Sequence, residues 1–385
     1  YLGYLGLNPS GYEWRDYGLI ERLLTQPRAI FDYIRHLLVP LPTSVTPFHD
    51  NWQHSRGLLS PFTTLFSILG LATLGMAAWM LRKTWPIVTF GITFFFSGHL
   101  VESTIVPLEL YFPHRNYIPA LGLYLAVAYP LFKLAVGLTT RRRRSAIGAF
   151  GLYFLLFCGV LGYATSLWGN RKLAAEVWFV HNQGSVRAVQ YLYRYYAEEG
   201  EVQVADQVNR LAIRNHPGNA IFTLQALGIC DDEEVAFEKK VAHAVRDLKD
   251  ESSITVNMAG TIQQFAAMAA ESDCEHLNIE LVEQLIAAAM ERDDRPVLPS
   301  ALQNLLMAQA QLADHRADYS GAIEALERTM EIKPTLDAAL LIAYYQVESG
   351  NPKAAIEHLK MVTASPPVSF PENLVWKSRL EELLE

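Results

Sequence analysis

Four long runs of apolar residues follow one another in the first half of the chain. Residues 57–81, 84–101, 116–132 and 145–170 contain no Asp, Glu, Lys or Arg, and the runs are 25, 18, 17 and 26 residues long. A helix needs roughly 20 apolar residues to cross about 30 Å of hydrocarbon. The third run can be extended to residue 138, because a lysine at its edge can reach the interface. The pattern predicts four transmembrane helices, at about 58–81, 84–101, 116–138 and 145–169.

A shorter amphipathic pattern precedes these runs. Ile30, Tyr33, Ile34, Leu37 and Leu38 fall on one face of a helix that the following proline would end. Such a helix either lies in the membrane surface or packs on protein, and the pattern is compatible with both. We interpret residues 1–56 as a non-cytoplasmic segment containing this helix, and residues 57–169 as the transmembrane domain.

The sequence after residue 169 is helical in character and carries a faint repeat. Three alanines each precede a proline by 12 residues: Ala205 and Pro217, Ala322 and Pro334, Ala354 and Pro366. The last two units are 32 residues apart, close to the 34 of tetratricopeptide (TPR) repeats. Small residues let two helices approach closely, and proline ends the second helix. We therefore predict an all-α protein, in which a polytopic transmembrane domain is followed by a soluble TPR-like α-solenoid over 170–385. Such arrays bind peptides or proteins, or serve as scaffolds.

Charge separates the two halves and orients the predicted spans. Residues 1–169 carry a net charge of +6 and residues 170–385 a net charge of −14. Arg82 and Lys83 join the first two spans, and the basic run 141–144 joins the last two, so both clusters should be cytoplasmic. The loop at 99–116 and residues 170–385 then lie on the opposite side, which is the periplasm in a bacterium or the ER lumen in a eukaryote. Apolar sequence flanks the run 141–144, which argues against nucleic-acid binding.

The loop between the second and third runs is unusually polar for its surroundings. Glu102 and Glu109 could accept a proton from a hydroxyl group or hold a metal ion. Arg115 could hold phosphate oxygens through its planar set of donors, with His114 and Asn116 assisting. The alternative is an internal ion pair between Glu109 and Arg115 that only neutralises the loop.

Two further features remain open from sequence alone. His49 and Asp50 form a second polar pair on the same predicted side, as a secondary site or as a surface turn. Cys230 and Cys274 could pair in an oxidising compartment, and free thiols fit equally well. Residues 170–385 contain no metal-binding motif, and the sequence leaves a requirement for a divalent metal undecided.

Several segments together resemble a known family. The runs ERLLTQPRAIFDYIRHLLVP, FHDN, GLLSP and GHLVESTIVPLELYFPHRNYIPALGLY resemble the C-terminal membrane portion of bacterial TPR-containing integral-membrane glycosyltransferases. These are similar to the transmembrane-and-TPR O-mannosyltransferases of the GT-C superfamily. The resemblance covers about residues 19–137.

The resemblance implies an enzyme of the bacterial inner membrane, with residues 170–385 in the periplasm. The enzyme would move sugar from a polyprenyl-phosphate donor to a protein Ser or Thr, or to a glycan. It implies catalytic roles for Glu102 and Glu109. It implies that the donor phosphate is bound by the HRNY motif: His114, Arg115, Asn116 and Tyr117. The helical-repeat half would bind the acceptor protein.

The chain departs from the family pattern in two ways. An acidic residue is expected directly before the HRNY motif, and Pro113 stands there instead. The family also carries key acidic residues in a first external loop, which this chain does not show, so we expect an N-terminal part to precede Tyr1 in the natural protein. The competing hypothesis is a non-enzymatic, membrane-anchored TPR adaptor for an envelope or pilus assembly machine.

Overall fold

The chain is predominantly helical over the residues that the structure describes. The structure, a computed structural model, describes residues 12, 17–39, 41, 46–106, 108–228, 234–271, 276–291 and 297–364. These residues form sixteen α-helices, one 3₁₀ helix and no strands, which confirms the predicted all-α class. Two compact units divide the chain, Tyr1–Glu201 and Val202–Glu385. Cys230, Cys274 and Pro366 lie outside the described residues.

The first unit contains seven α-helices among its described residues. They are, with the 3₁₀ helix, α1 Leu19–Leu38, α2 Thr63–Leu81, α3 Pro86–His99, the 3₁₀ helix Pro113–Asn116, α4 Pro119–Val136, α5 Thr140–Trp168, α6 Arg171–His181 and α7 Val186–Glu198. Helices α6 and α7 follow residue 170, the predicted start of the soluble helical domain. They nevertheless belong to the first unit, where Ala174 and Trp178 pack against Leu167.

Three of these helices, α2, α4 and α5, are long and apolar enough to cross a membrane. The prediction of four spans is corrected to three. Helix α3 has 14 residues, which corresponds to about 21 Å, short of the hydrocarbon thickness of about 30 Å. Beyond His99 the chain forms turns, and the carbonyl groups of Glu102 and Thr104 accept hydrogen bonds from the buried Arg22 of α1.

Helices α3 and α4 form an antiparallel pair with very close backbones. A Cβ atom added at Gly91 would lie 2.5 Å from the carbonyl oxygen of Gly122, and the reciprocal distance is also 2.5 Å. At one end of the pair the ring of Trp85 meets that of Tyr129, with centroids 6.0 Å apart. The turn bearing Arg82 and Lys83 therefore lies at the same end of this pair as the start of α5, which carries the basic run 141–144.

Helix α1 packs its apolar face on this pair. Ile30 is buried against Phe95 and Leu123, and Ile34, Leu37 and Leu38 pack around them. The last carbonyl groups of a helix have no partner within it. Here the hydroxyl of Tyr124 on α4 donates to the Leu37 carbonyl at 3.0 Å, and that of Tyr153 on α5 donates to the Leu38 carbonyl at 2.7 Å. These bonds fix the end of α1 against both spans.

The second unit is a succession of shorter helices. They are α8 Val202–Asn215, α9 Ala220–Leu227, α10 Glu234–Asp250, α11 Val256–Glu271, α12 Ile279–Met290, α13 Pro299–His315, α14 Tyr319–Ile332, α15 Leu336–Glu348 and α16 Pro352–Ala364. Neighbouring helices pack together, and α11 also packs on α13. Ala205 and Ala322 are fully buried and Ala354 is half-buried, and Pro217 and Pro334 stand two residues after the ends of α8 and α14. The predicted TPR-like repeat stays a prediction.

Candidate functional site

The polar loop after α3 is held by one buried arginine from α1. The Arg22 side chain is fully buried, and it donates to the carbonyl oxygens of Thr104 at 2.9 Å, Glu102 at 2.6 Å and Leu108. Burial lowers the pKa of Arg22 from its ordinary value. Three carbonyl groups of one loop therefore share a single cation, which fixes the path of residues 102–108.

The charged groups predicted in the loop are engaged in ion pairs. Arg115 Nε lies 3.1 Å from Glu102 Oε2, and Arg115 Nη1 donates to the Glu109 carbonyl at 2.9 Å. The Glu109 carboxylate binds Arg187 on α7, at 2.6 Å. The Arg115 side chain is only 7% exposed. The structure thus joins Arg115 to Glu102 through side chains, and to Glu109 through its backbone.

The other residues of the HRNY motif differ in exposure. The ring of His114 is exposed, stacks on Phe112 with centroids 4.6 Å apart, and meets the ring of Tyr117 at 6.2 Å. Tyr117 is 80% exposed. Asn116 is buried, and its Nδ2 donates to the Pro113 carbonyl at 3.1 Å. Of the four residues, only Asn116 lines the cavity described below.

His49 and Asp50 are adjacent in sequence, but their side chains contact different parts of the first unit. The Asp50 carboxylate accepts from the hydroxyl of Ser185 and from the backbone N–H of Arg187, at 3.2 Å for the latter. Both donors lie at the start of α7, where a negative charge is favourable. His49 instead packs on Tyr111, with ring centroids 4.6 Å apart. Asp50 caps a helix, whereas His49 belongs to a cavity.

A cavity of about 280 Å³ lies between the end of α1, the polar loop and α5. One wall is apolar and comes from one face of α5, a candidate membrane span: Phe157, Val160, Leu161 and Ala164. The facing wall carries hydroxyl, imidazole and amide groups: Tyr33, His36, His49, Tyr111 and Asn116. Leu37, Leu41 and Pro113 complete the lining, which contains no Asp, Glu, Lys or Arg.

A hydrogen-bonded network supports the polar wall. Tyr111 Oη donates to Asp32 Oδ2 at 2.9 Å, and His36 Nδ1 lies 2.9 Å from the same hydroxyl. Arg35 binds Asp32 Oδ1 at 2.8 Å and His36 Nε2 at 2.8 Å. A guanidinium group can only donate, so Nε2 of His36 accepts and the proton of the neutral ring is on Nδ1.

Electrostatics fix the protonation states within this network. Burial by itself would raise the pKa of Asp32, but hydrogen bonds from His36, Arg35 and Tyr111 lower it to about 2. Burial raises the pKa of Tyr111, and the Asp32 carboxylate raises it further. Burial lowers the pKa of His49. At neutral pH the wall therefore presents a protonated phenol and a neutral His49, supported by an ionised carboxylate.

Comparison with known proteins gives no match. No family model, no curated protein and no solved structure is matched by this chain. Among the described residues, no three of His, Cys, Asp and Glu are grouped closely enough to hold a metal ion.

Proposed function

We propose that the chain is the membrane-embedded part of a glycosyltransferase that uses a polyprenyl-phosphate-linked sugar. The observation that carries this proposal is the two-faced cavity, which combines an apolar wall from a candidate span with a polar wall from α1 and the loop. Ligand sites combine apolar lining with a few fixed polar groups. A lipid-linked sugar likewise has an apolar chain and a polar head group. Its chain would lie along α5 and its head group near Asn116 and Tyr111.

The proposed side of the membrane follows from the basic clusters. Arg82, Lys83 and the run 141–144 lie at one end of the α3–α4 pair, whereas the cavity is lined by the C-terminal half of α5. Positive charge favours the cytoplasmic side. The cavity would then open on the non-cytoplasmic side, which is the periplasmic side of a bacterial inner membrane.

The geometry favours a different phosphate-binding residue from the predicted Arg115. Arg115 is paired with Glu102 and does not line the cavity. Arg35 does not line the cavity either and is paired with Asp32, but it is half exposed and its Nη2 also binds His36, a lining residue, so within the described part of the chain it is a cation bonded to the polar wall. We propose that Arg35 offsets the charge of the phosphate, and that Arg115 keeps the loop in place. The role of Glu102 and Glu109 as catalytic groups stays a hypothesis.

The second unit would bind the acceptor. Its succession of packed helices, its buried alanines and its helix-ending prolines fit the proposed TPR-like solenoid. An acidic helical unit of this kind suits recognition of a protein acceptor carrying the target Ser or Thr.

Two substitutions on opposite faces of α5 test the enzyme proposal. Ala164→Trp fills the cavity from its apolar wall, whereas Gly162→Trp adds the same bulk where no atom lies within 4 Å. With a polyprenyl-phosphate hexose and a mixture of acceptor peptides in proteoliposomes, Ala164→Trp should lower sugar transfer at least tenfold. Gly162→Trp should retain it. Equal activity of both variants would contradict the proposed site.

A specific observation favours the adaptor as a second candidate. The Glu102–Arg115 and Glu109–Arg187 pairs leave the loop neutralised, as a purely structural loop would be. An adaptor would show no sugar transfer by the unmodified protein. It would also retain its role in envelope assembly in the Ala164→Trp variant, and lose that role only when the surface of the second unit is altered.

A further inference from the structure

The polar wall of the cavity has a composition that points to one part of the donor. None of its lining residues is Lys, Arg, Asp or Glu, and the network behind it places the Asp32 charge against Arg35. A phosphate group binds best where charged or backbone N–H donors converge. An uncharged wall of hydroxyl, imidazole and amide groups suits an uncharged polyol instead.

The wall also has the shape needed for a single ring. Tyr111 stacks on Trp52, with centroids 4.5 Å apart, and contacts His49 on another side, so its ring position is fixed. The cavity volume of about 280 Å³ is just below the usual range for ligand pockets, roughly 300–1,000 Å³. The space therefore suits one sugar ring and not an oligosaccharide.

We infer that the polar wall is a sugar-recognition subsite, in which Asp32 is a positioning residue that fixes the Tyr111 hydroxyl, directly and through His36, as a hydrogen-bonding partner for a hydroxyl group of one hexose ring. This inference rests on the proposed function, since it assigns the sugar of the same lipid-linked donor. Asp32 does not line the cavity, and it acts through the Tyr111 hydroxyl and His36 Nδ1.

The network defines which donors and acceptors remain for the sugar. The Tyr111 oxygen accepts from His36 and donates to Asp32, which leaves one lone pair for a sugar hydroxyl. His49 Nε2 is buried without a hydrogen bond among the described residues. Buried groups of this kind reject a ligand that leaves them unpaired, which is why a site built for hydroxyl groups can discriminate strongly.

Replacement of Asp32 by Asn breaks the arrangement with little change in shape. An amide NH₂ would have to face either the Arg35 donor or the Tyr111 and His36 pair. In the first case two donors oppose each other. In the second, His36 must change its tautomer, and its new Nε2–H then opposes Arg35. Tyr111→Phe removes the hydroxyl directly and keeps the ring.

The test compares two lipids by native mass spectrometry of the full chain in detergent: undecaprenyl phosphate and undecaprenyl-phosphate-linked hexose. The unmodified protein should bind the sugar-bearing lipid more tightly, by about tenfold, as expected for one or two hydrogen bonds. Tyr111→Phe should bring its affinity down to that of the bare lipid phosphate, whose binding should not change. Asp32→Asn should also remove the preference for the sugar-bearing lipid, although the loss of its ion pair with Arg35 should alter the binding of both lipids alike. A variant that merely weakens the fold would lose both lipids equally.

The outcomes separate this inference from the proposed function. If the unmodified protein binds both lipids without preference, or if both variants keep the preference, the sugar subsite is wrong and the lipid site survives. Equal loss of both lipids in Tyr111→Phe, which deletes only one oxygen, also overturns the subsite. If the unmodified protein binds neither lipid, the proposed function fails as well.

Discussion

Single side chains decide the local geometry of the first unit, and Arg22 is the clearest case. Its guanidinium donates to the carbonyls of Glu102, Thr104 and Leu108, which lie outside any helix. Backbone carbonyls that water does not reach need a hydrogen-bond partner, so this side chain helps to fix the path of the polar loop. The position of Asn116 at the cavity depends on the same loop.

Arg22→Met should destabilise the protein by about 3 kcal/mol, because the carbonyls of Glu102 and Thr104 lose the hydrogen bonds that the buried guanidinium donates. Arg171→Met, in the same unit, is the matched control, since it removes an exposed ion pair with Glu198. Exposed pairs of this kind contribute little to stability. Thermal unfolding in detergent measures both. Equal melting temperatures for the two variants would show that Arg22 does not hold the loop.

Asp32 gives the molecule an acid-sensitive contribution to stability. Its folded-state pKa of about 2 is below the ordinary 3.8, so the ionised form is favoured by folding. The stability it provides is present above about pH 4 and is lost as the pH falls towards 2. The difference in melting temperature between the unmodified protein and Asp32→Asn should therefore be constant above pH 4 and shrink below it. A difference that does not change between pH 5 and pH 2.5 would contradict the assignment.

The sequence identified the helix that carries this network, but not the network. Asp32 and His36 stand four residues apart, a spacing that places them on one side of a helix, and this signal was available. Their partner Tyr111 lies 79 residues from Asp32 in the chain. Contacts over such separations depend on the packing of α1 against the loop, which no local pattern reports.

At the scale of helices, the α3–α4 pair depends on glycine. The backbones approach so closely at Gly91 and Gly122 that neither position has room for a methyl group. Small residues at the contact allow close packing of membrane helices. Because α3 is too short to cross the hydrocarbon by itself, this contact with a candidate span is what holds it in the first unit.

Gly122→Ala should therefore lower the stability of the first unit by about 1–3 kcal/mol, the usual cost of overpacking. The added Cβ would lie 2.5 Å from the Gly91 carbonyl oxygen. Gly75→Ala on α2 is the control, because no atom lies within 4 Å of its added Cβ. In the same detergent, Gly122→Ala should have a lower melting temperature than Gly75→Ala. A lower melting temperature for Gly75→Ala would contradict the close contact.

Hydrophobic length predicted the long helices and failed for the short one. The runs that became α2, α4 and α5 were visible as uncharged stretches, and their helices are confirmed as candidate spans. The run at 84–101 looked similar, yet its helix ends at His99. Hydropathy cannot show that the next carbonyls are bound by Arg22, since that donor comes from another part of the chain.

For the whole molecule, the distribution of charge predicts which end of the first unit faces the cytoplasm. Thr139 lies at the end with the basic run, and the 80% exposed Tyr117 lies at the other end of α4. After replacement of Cys158, Cys230 and Cys274, a cysteine at position 139 should react with a membrane-impermeant thiol reagent only from the cytoplasmic side. A cysteine at position 117 should react only from the opposite side.

Each variant is the control for the other, because a reagent added on one side of the membrane should label one cysteine and leave the other unlabelled. Labelling of both cysteines from one side would show that the two ends of α4 do not lie on opposite sides of the membrane. Reversed labelling would show that the basic clusters do not set the orientation.

Two adjacent residues, His49 and Asp50, link the cavity to helix α7. One residue forms part of the cavity wall and the next is anchored to the first turn of α7, and a single peptide unit joins them. A rotation or translation of α7 would therefore move the His49 imidazole as well. A partner bound to the outer surface of α7 would in this way change the polar wall of the cavity from a distance.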